Sequence, residues 1–173
     1  ISFLVQKKNV AVFQEVGGEI LPGDIALSRM TTELYHTVVL LDRYEANLDE
    51  HIRGEIEKAL SSLNAHKTMH DLFHREDELT IQVEQLVQEF NRSVAQYVLL
   101  LQKGATEESR LTVRQKIDSL LEQFVDSINP NIEEGFELSY RKIVDVQEMN
   151  AQSRRILVIS GIIILFVTLL LSI

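Results

Sequence analysis

Leu79, Val83, Leu86, Phe90, Val94, Tyr97 and Leu101 recur at steps of three and four, the spacing that lines one side of an α-helix. The stripe predicts a helix over about 77–103, stopped by Gly104 as a C-terminal cap. Thr106 is placed to cap the next helix, and Glu107 and Glu108 suit the positive end of its dipole. That helix carries Leu111, Ile117, Leu121, Phe124, Val125 and Ile128. Asn129-Pro130-Asn131 then offers two outcomes. Asn129 and Pro130 can restart a helix after a turn, or the proline can sit as a kink in one long helix. Beyond it Ile132, Phe136, Ile143 and Val146 continue the stripe.

Upstream, Gly17-Gly18 and Pro22-Gly23 read as breaks. From Asp24 a stripe runs through Leu27, Met30, Leu34, Val38 and Leu41, and Asn47 with Glu50 forms a capping-box pattern for the next helix. Ile52, Ile56, Ala59, Leu63 and Phe73 line that helix, and the polar run His74-Arg75-Glu76-Asp77-Glu78 forms the following turn. Ascending segments 1–46 and 77–103 and descending segments 48–74 and 106–155 close to within about 6 Å at helical rise. A rival parsing with a single break near Asn64 closes only if residues 1–23 do not climb. The preferred fold class is therefore all-α: an antiparallel up-down four-helix bundle with long first and last helices, the last continuing into a transmembrane helix. Residues 1–23 form a membrane-proximal segment after a first span, 24–132 the bundle core, 133–155 a membrane-proximal helix and 156–173 a span. Pro22, the turn around Arg75 and Pro130 share one level, above which four helices stand and below which two continue as a stalk.

The span is expected because Ile156 to Ile173 carries no charge, with Ser160, Thr168 and Ser172 as its polar residues. As a helix this run would rise about 27 Å, close to the hydrocarbon thickness of a bilayer. Ile1 to Val5 is apolar and followed by Gln6, Lys7 and Lys8, like the last turn of an earlier span. Both ends are expected to be cuts from a longer chain. Arg154-Arg155 on the body side would place the body inside, whereas the resemblance below places it outside.

Composition narrows the picture further. Seven glycines and two prolines are too few to punctuate a many-stranded sheet. No cysteine means no disulfide framework and no thiolate-ligated metal. A net charge of −9 disfavours nucleic acid, whose phosphates need a basic stripe.

Leu21-Pro22 opening the first long helix, Tyr97 in an apolar helix ending at Gly104-Ala105, Pro130 midway along the last helix and Asn150 before the second span together carry a resemblance. The chain resembles the four-helix-bundle ligand-binding domains of bacterial methyl-accepting chemoreceptors and related sensor histidine kinases. The resemblance implies a periplasmic homodimer anchored in the inner membrane, sensing a small molecule or a periplasmic binding protein. It also implies a small shift of the last helix, passed through the span to a cytoplasmic output module.

Candidate chemistry is sparse. His66, His70 and His74 repeat at i, i+4, i+8 on one helix, a spacing for shared metal or pH response, against the plainer role of polar residues in a half-solvated groove. Arg29, Arg43 and Arg53 are candidates for an anionic ligand, set against ordinary pairing with neighbours such as Glu33 and Asp42. No phosphate loop, nucleophile-base pair or dinucleotide fingerprint occurs, so neither enzymatic activity nor a cofactor is expected in this segment. Two rival readings are a tail-anchored helical membrane-trafficking protein and a ligand-free dimerisation bundle.

Overall fold

The computed structural model describes residues 2–73 and 78–171, and every regular element among them is helical. In order these are α1 (Ser2–Glu15), a π-helical turn (Val16–Ile20), α2 (Leu21–Asn47), α3 (Glu50–Phe73), α4 (Glu78–Gln102) and α5 (Glu107–Leu171). Helices α2 to α5 close a ring, α2 packing on α3 and α5, and α4 packing on α3 and α5. The pairing of α2 with α5 is antiparallel: Glu45 meets Arg110, Asp42 meets Arg114, and Asp24 lies against Gly135. The same descent continues below the bundle, where Glu15 pairs with Lys142 and Asn9 with Asn150. A four-helix bundle on a two-helix stalk results, as the helix lengths require.

The predicted stripes supply most of the core. Leu27, Met30, Leu34, Ile56, Leu63, Val83, Phe90, Val94, Ile117, Phe124 and Ile128 are all buried in one cluster, each worth roughly 1.5–3 kcal/mol in transfer from water. Two expected stripe members face outward instead: Leu111 is 54% and Phe136 47% exposed. Past Pro130 the inward face runs through Gly135, Ser139 and Val146. Small residues let α5 approach α2 closely there, and that rotates Phe136 into solvent.

Local chemistry explains the helix ends, with one correction. Asn47 is the last residue of α2, not the cap of α3. Leu48 adopts the left-handed conformation (φ 49°) and returns its N–H to the Tyr44 carbonyl. Asp49 then caps α3, its Oδ1 accepting the His51 N–H at 2.8 Å. Gly104, at φ 62°, ends α4 with Ala105 N–H reaching back to the Leu100 carbonyl, a Schellman arrangement. Thr106 caps α5 as expected, its Oγ1 accepting the Ser109 N–H at 3.4 Å.

Neither proline region breaks the chain. Gly17-Gly18 lie in the π turn, where Leu21 N–H bonds five residues back to the Val16 carbonyl. The wider turn just before Pro22 leaves its ring room beside the carbonyl four residues earlier. Of the two outcomes open at Asn129-Pro130-Asn131, the helix runs through and no turn forms. Pro130 is exposed, so water can reach the carbonyl that loses its N–H partner. Asn131 Nδ2 donates to the Ser127 carbonyl at 2.9 Å beside it.

The last helix continues unbroken to Leu171. Among the described residues, however, no helix is long and apolar enough to cross a membrane. The expected span at Ile156–Ile173 lies partly outside the described residues.

The end of the bundle far from the α1–α5 stalk is tied by a polar network. Tyr97 (α4) donates its hydroxyl to Glu45 Oε2 at 2.7 Å, and Arg110 (α5) donates to Glu45 Oε1 at 3.0 Å. Burial, then the hydrogen bond to Glu45 and its charge, push the Tyr97 phenol up to about 12. The folded state thus holds this proton more tightly than the unfolded chain. The resulting stability is full below pH about 10 and is lost as pH rises through 12. Urea denaturation between pH 9 and 12 is expected to show a stability loss that Tyr97→Phe lacks.

Candidate functional site

Where four helices become two, side chains from four helices and the π turn converge. Asp24 of α2 and His70 of α3 are buried there, 4% and 0% exposed. They line a cavity of about 220 Å³ with Asn131, Glu134 and Gly135 of α5 and an apolar wall from Ile20, Leu27, Leu79 and Leu138. Each polar group arrives for a local reason. Asp24 lies three residues before Leu27, on the buried stripe of the first turn of α2, where a carboxylate also suits the helix dipole. His70 lies seven residues after Leu63, on the buried stripe of α3.

Gly135 makes the close approach possible. A β-carbon built at this position would lie 2.1 Å from Asp24 Oδ2 and 2.7 Å from its Cγ. The carboxylate therefore occupies the space where any other residue would place its side chain. Neighbouring charge surrounds the pocket on the α3 side: His70 Nδ1 is 3.7 Å from Asp71 Oδ1, and Lys67 bridges Asp71 at 2.7 Å and Glu84 of α4 at 3.5 Å. Partial burial works against the Lys67 charge, but the hydrogen bond to Asp71 and the charges of Asp71 and Glu84 outweigh it, raising its pKa above the ordinary lysine value.

The cluster can bind, orient and exchange protons, and it can hold helices in register. It contains no nucleophile held by a base. A serine, an imidazole and a carboxylate do meet higher up, where Ser62 Oγ lies 3.5 Å from His66 Nε2. There the hydroxyl donates to Glu33 Oε1 at 2.7 Å. The carboxylate therefore accepts the serine's hydrogen bond rather than orienting the imidazole, unlike the arrangement of a nucleophilic relay.

The residues singled out by sequence are scattered. His66 lies beside Ser62 on α3, His70 enters the junction, and His74 lies outside the described residues. Among the described residues, no group of three or more histidines and carboxylates is placed to hold a metal ion. Arg29 and Arg43 are exposed on α2, about 21 Å apart along the helix. Their expected partners turn elsewhere, Glu33 to Ser62 and His36 and Asp42 to Arg114. Arg53 pairs with Glu50 at 2.7 Å and Glu57 at 3.6 Å. Sequence reasoning passed over Asp24, Glu134 and Gly135. The signal was present: a carboxylate on the mainly apolar stripe of α2 and a glycine on the inward face of α5.

This topology has a counterpart. A solved structure described as the periplasmic sensor domain of a sensor histidine kinase is similar at a TM-score of 0.68. The likeness covers 81% of this chain and 95% of that one at 10% sequence identity. It shows a shared fold. No protein-family model and no curated protein matches the sequence.

Opposite outcomes are expected at two helical glycines. Gly54 on α3 faces open space, so Gly54→Ala should raise stability by up to about 1 kcal/mol. Gly135→Ala, despite the same propensity gain, should lower it by about 1–3 kcal/mol through overpacking against Asp24. Asp24→Ala in the Gly135→Ala background should recover part of that loss in urea melts.

Proposed function

We propose that this chain is the extracytoplasmic sensor domain of a bacterial transmembrane signal-transduction receptor, of the chemoreceptor or sensor-kinase type. The observation that carries the reading is the single helix α5, unbroken from Glu107 at the distal loop to Leu171 and paired with α1 below the bundle. An event in the bundle that moves α5 is thereby delivered to its far end without an intervening joint. The fold shared with a periplasmic sensor domain supports the same reading.

The membrane anchor is part of the proposal. Ile156, Leu157, Val158, Ile159, Ile162 and Ile163 are all exposed, so the helix is apolar around its whole circumference at this point. A helix with that surface is stable when lipid surrounds it. The uncharged sequence continues to Ile173. In this arrangement the bundle stands in the periplasm and the chain is held in the inner membrane. Homodimerisation is proposed through α2, where Tyr35 and Val39 present exposed apolar surface one turn apart. The ligand is a small molecule or a periplasmic binding protein, and the output module is cytoplasmic.

Fusing alkaline phosphatase, which is active only outside the cytoplasm, into the loop after Gly104 is expected to give an active enzyme in intact bacteria. An inactive fusion, with a β-galactosidase fusion active at the same site, would overturn the orientation. With residues 1–173 expressed by themselves, removing residues 156–173 should move the chain from the alkali-resistant membrane fraction to the soluble one.

A further inference from the structure

A second opening lies higher in the bundle, away from the junction, where α3 and α4 part. The hydrogen bonds and ion pairs that join these two helices among the described residues, Asn91 to Asn64 and Lys67 to Glu84, lie below it. Above that level the helices leave a groove of about 350 Å³ whose surface is mostly apolar, formed by Ile56, Leu60, Val94, Val98 and Leu99. Ile56 and Val94 are core residues, 2% and 0% exposed. The groove therefore reaches the hydrophobic interior.

We infer that the α3–α4 groove is a binding site for a compact, uncharged, largely apolar molecule bearing one neutral hydrogen-bonding group. Size argues first. The volume falls at the lower end of the range for small-molecule sites, about 300–1,000 Å³. Charge argues second. The ionic groups at the rim are Arg53 and Glu57, and the guanidinium is already shared between Glu50 and Glu57. A charged ligand would have to break these pairs to gain a partner, and then lay its charge against aliphatic walls. The remaining polar group on the rim is the neutral amide of Gln102, able to donate and accept one hydrogen bond each way.

The site would feed the receptor directly, and that use rests on the sensor reading proposed above. A molecule wedged between α3 and α4 bears on α4, which packs along α5. The groove and its lining stand without that reading.

Indole and indole-3-acetate make a matched neutral and anionic pair of probes. With the full chain in lipid nanodiscs and its Ile, Leu and Val methyl groups isotope-labelled, indole is expected to give saturable shifts at Ile56, Val94 and Val98. Half-saturation should fall in the millimolar range or below, and indole-3-acetate should bind at least tenfold more weakly. Ala95→Phe fills the groove from its edge and should abolish the shifts. Gln102→Ala, an exposed change that leaves the packing intact, should weaken binding several-fold and guards against misfolding of the first variant. Absence of saturable shifts, shifts that survive Ala95→Phe in a helical, folded variant, or equal binding of the anion would each overturn the site. Because the reporter-fusion experiment is independent of indole, a failed groove and a failed sensor reading give different results.

Discussion

A carboxylate set against a glycine decides how this molecule is put together. Asp24 is buried where α2 enters the bundle, and its side chain fills the space beside Gly135 that a β-carbon would need. A buried carboxylate is costly unless its surroundings are arranged for it, so the contact tolerates little sliding. A slide of one helical turn in either direction would bring Asn131 or Ser139, each with a β-carbon, to the same place. The register of α5 against α2 is thus set at the level where the bundle narrows to the stalk. Asn9 and Asn150 meet lower down through a side-chain hydrogen bond of 2.8 Å.

Both long paths through the junction depart from ideal helix there without breaking. On one side the π turn absorbs Pro22; on the other α5 carries Pro130 on its exposed face with Asn131 bonded back to Ser127. Continuity matters for the proposed relay. Distal ion pairs bind α5 to α2 through Arg110 and Arg114, the junction binds it through Gly135, and Lys142 binds it to Glu15 in the stalk. The contrast is α3 with α4, joined among the described residues by polar groups at mid-length and below. The groove they leave is where the bundle has room to admit something.

The architecture was legible because helix periodicity is a one-dimensional signal. The stripe from Leu79 to Leu101, the stops at Gly104 and Thr106, and the balance of climbing and descending lengths all survive in three dimensions. Where a local signal had two equivalent solutions, sequence chose less well. Asn47 and Asp49 are both good caps, and the left-handed turn at Leu48 places Asp49, not Asn47, at the start of α3. Phe136 looked like core because it is large and apolar, yet Gly135 faces inward.

The amino-acid sequence alone determined that the chain is helical, nearly where the helices of the bundle end, and that an uncharged apolar run follows Arg155; whether the last helix turns or runs through at Pro130 it left open. These follow from backbone hydrogen bonding and the burial of stripes, which act within a few turns. Tertiary structure alone decided that Asp24, His70, Asn131 and Glu134 share one cavity, that Arg29, Arg43 and Arg53 do not converge, and that α3 and α4 part around an apolar groove. Those outcomes depend on how closely two helices approach. That distance is set by the size of side chains far apart in the chain, so no local pattern can report it.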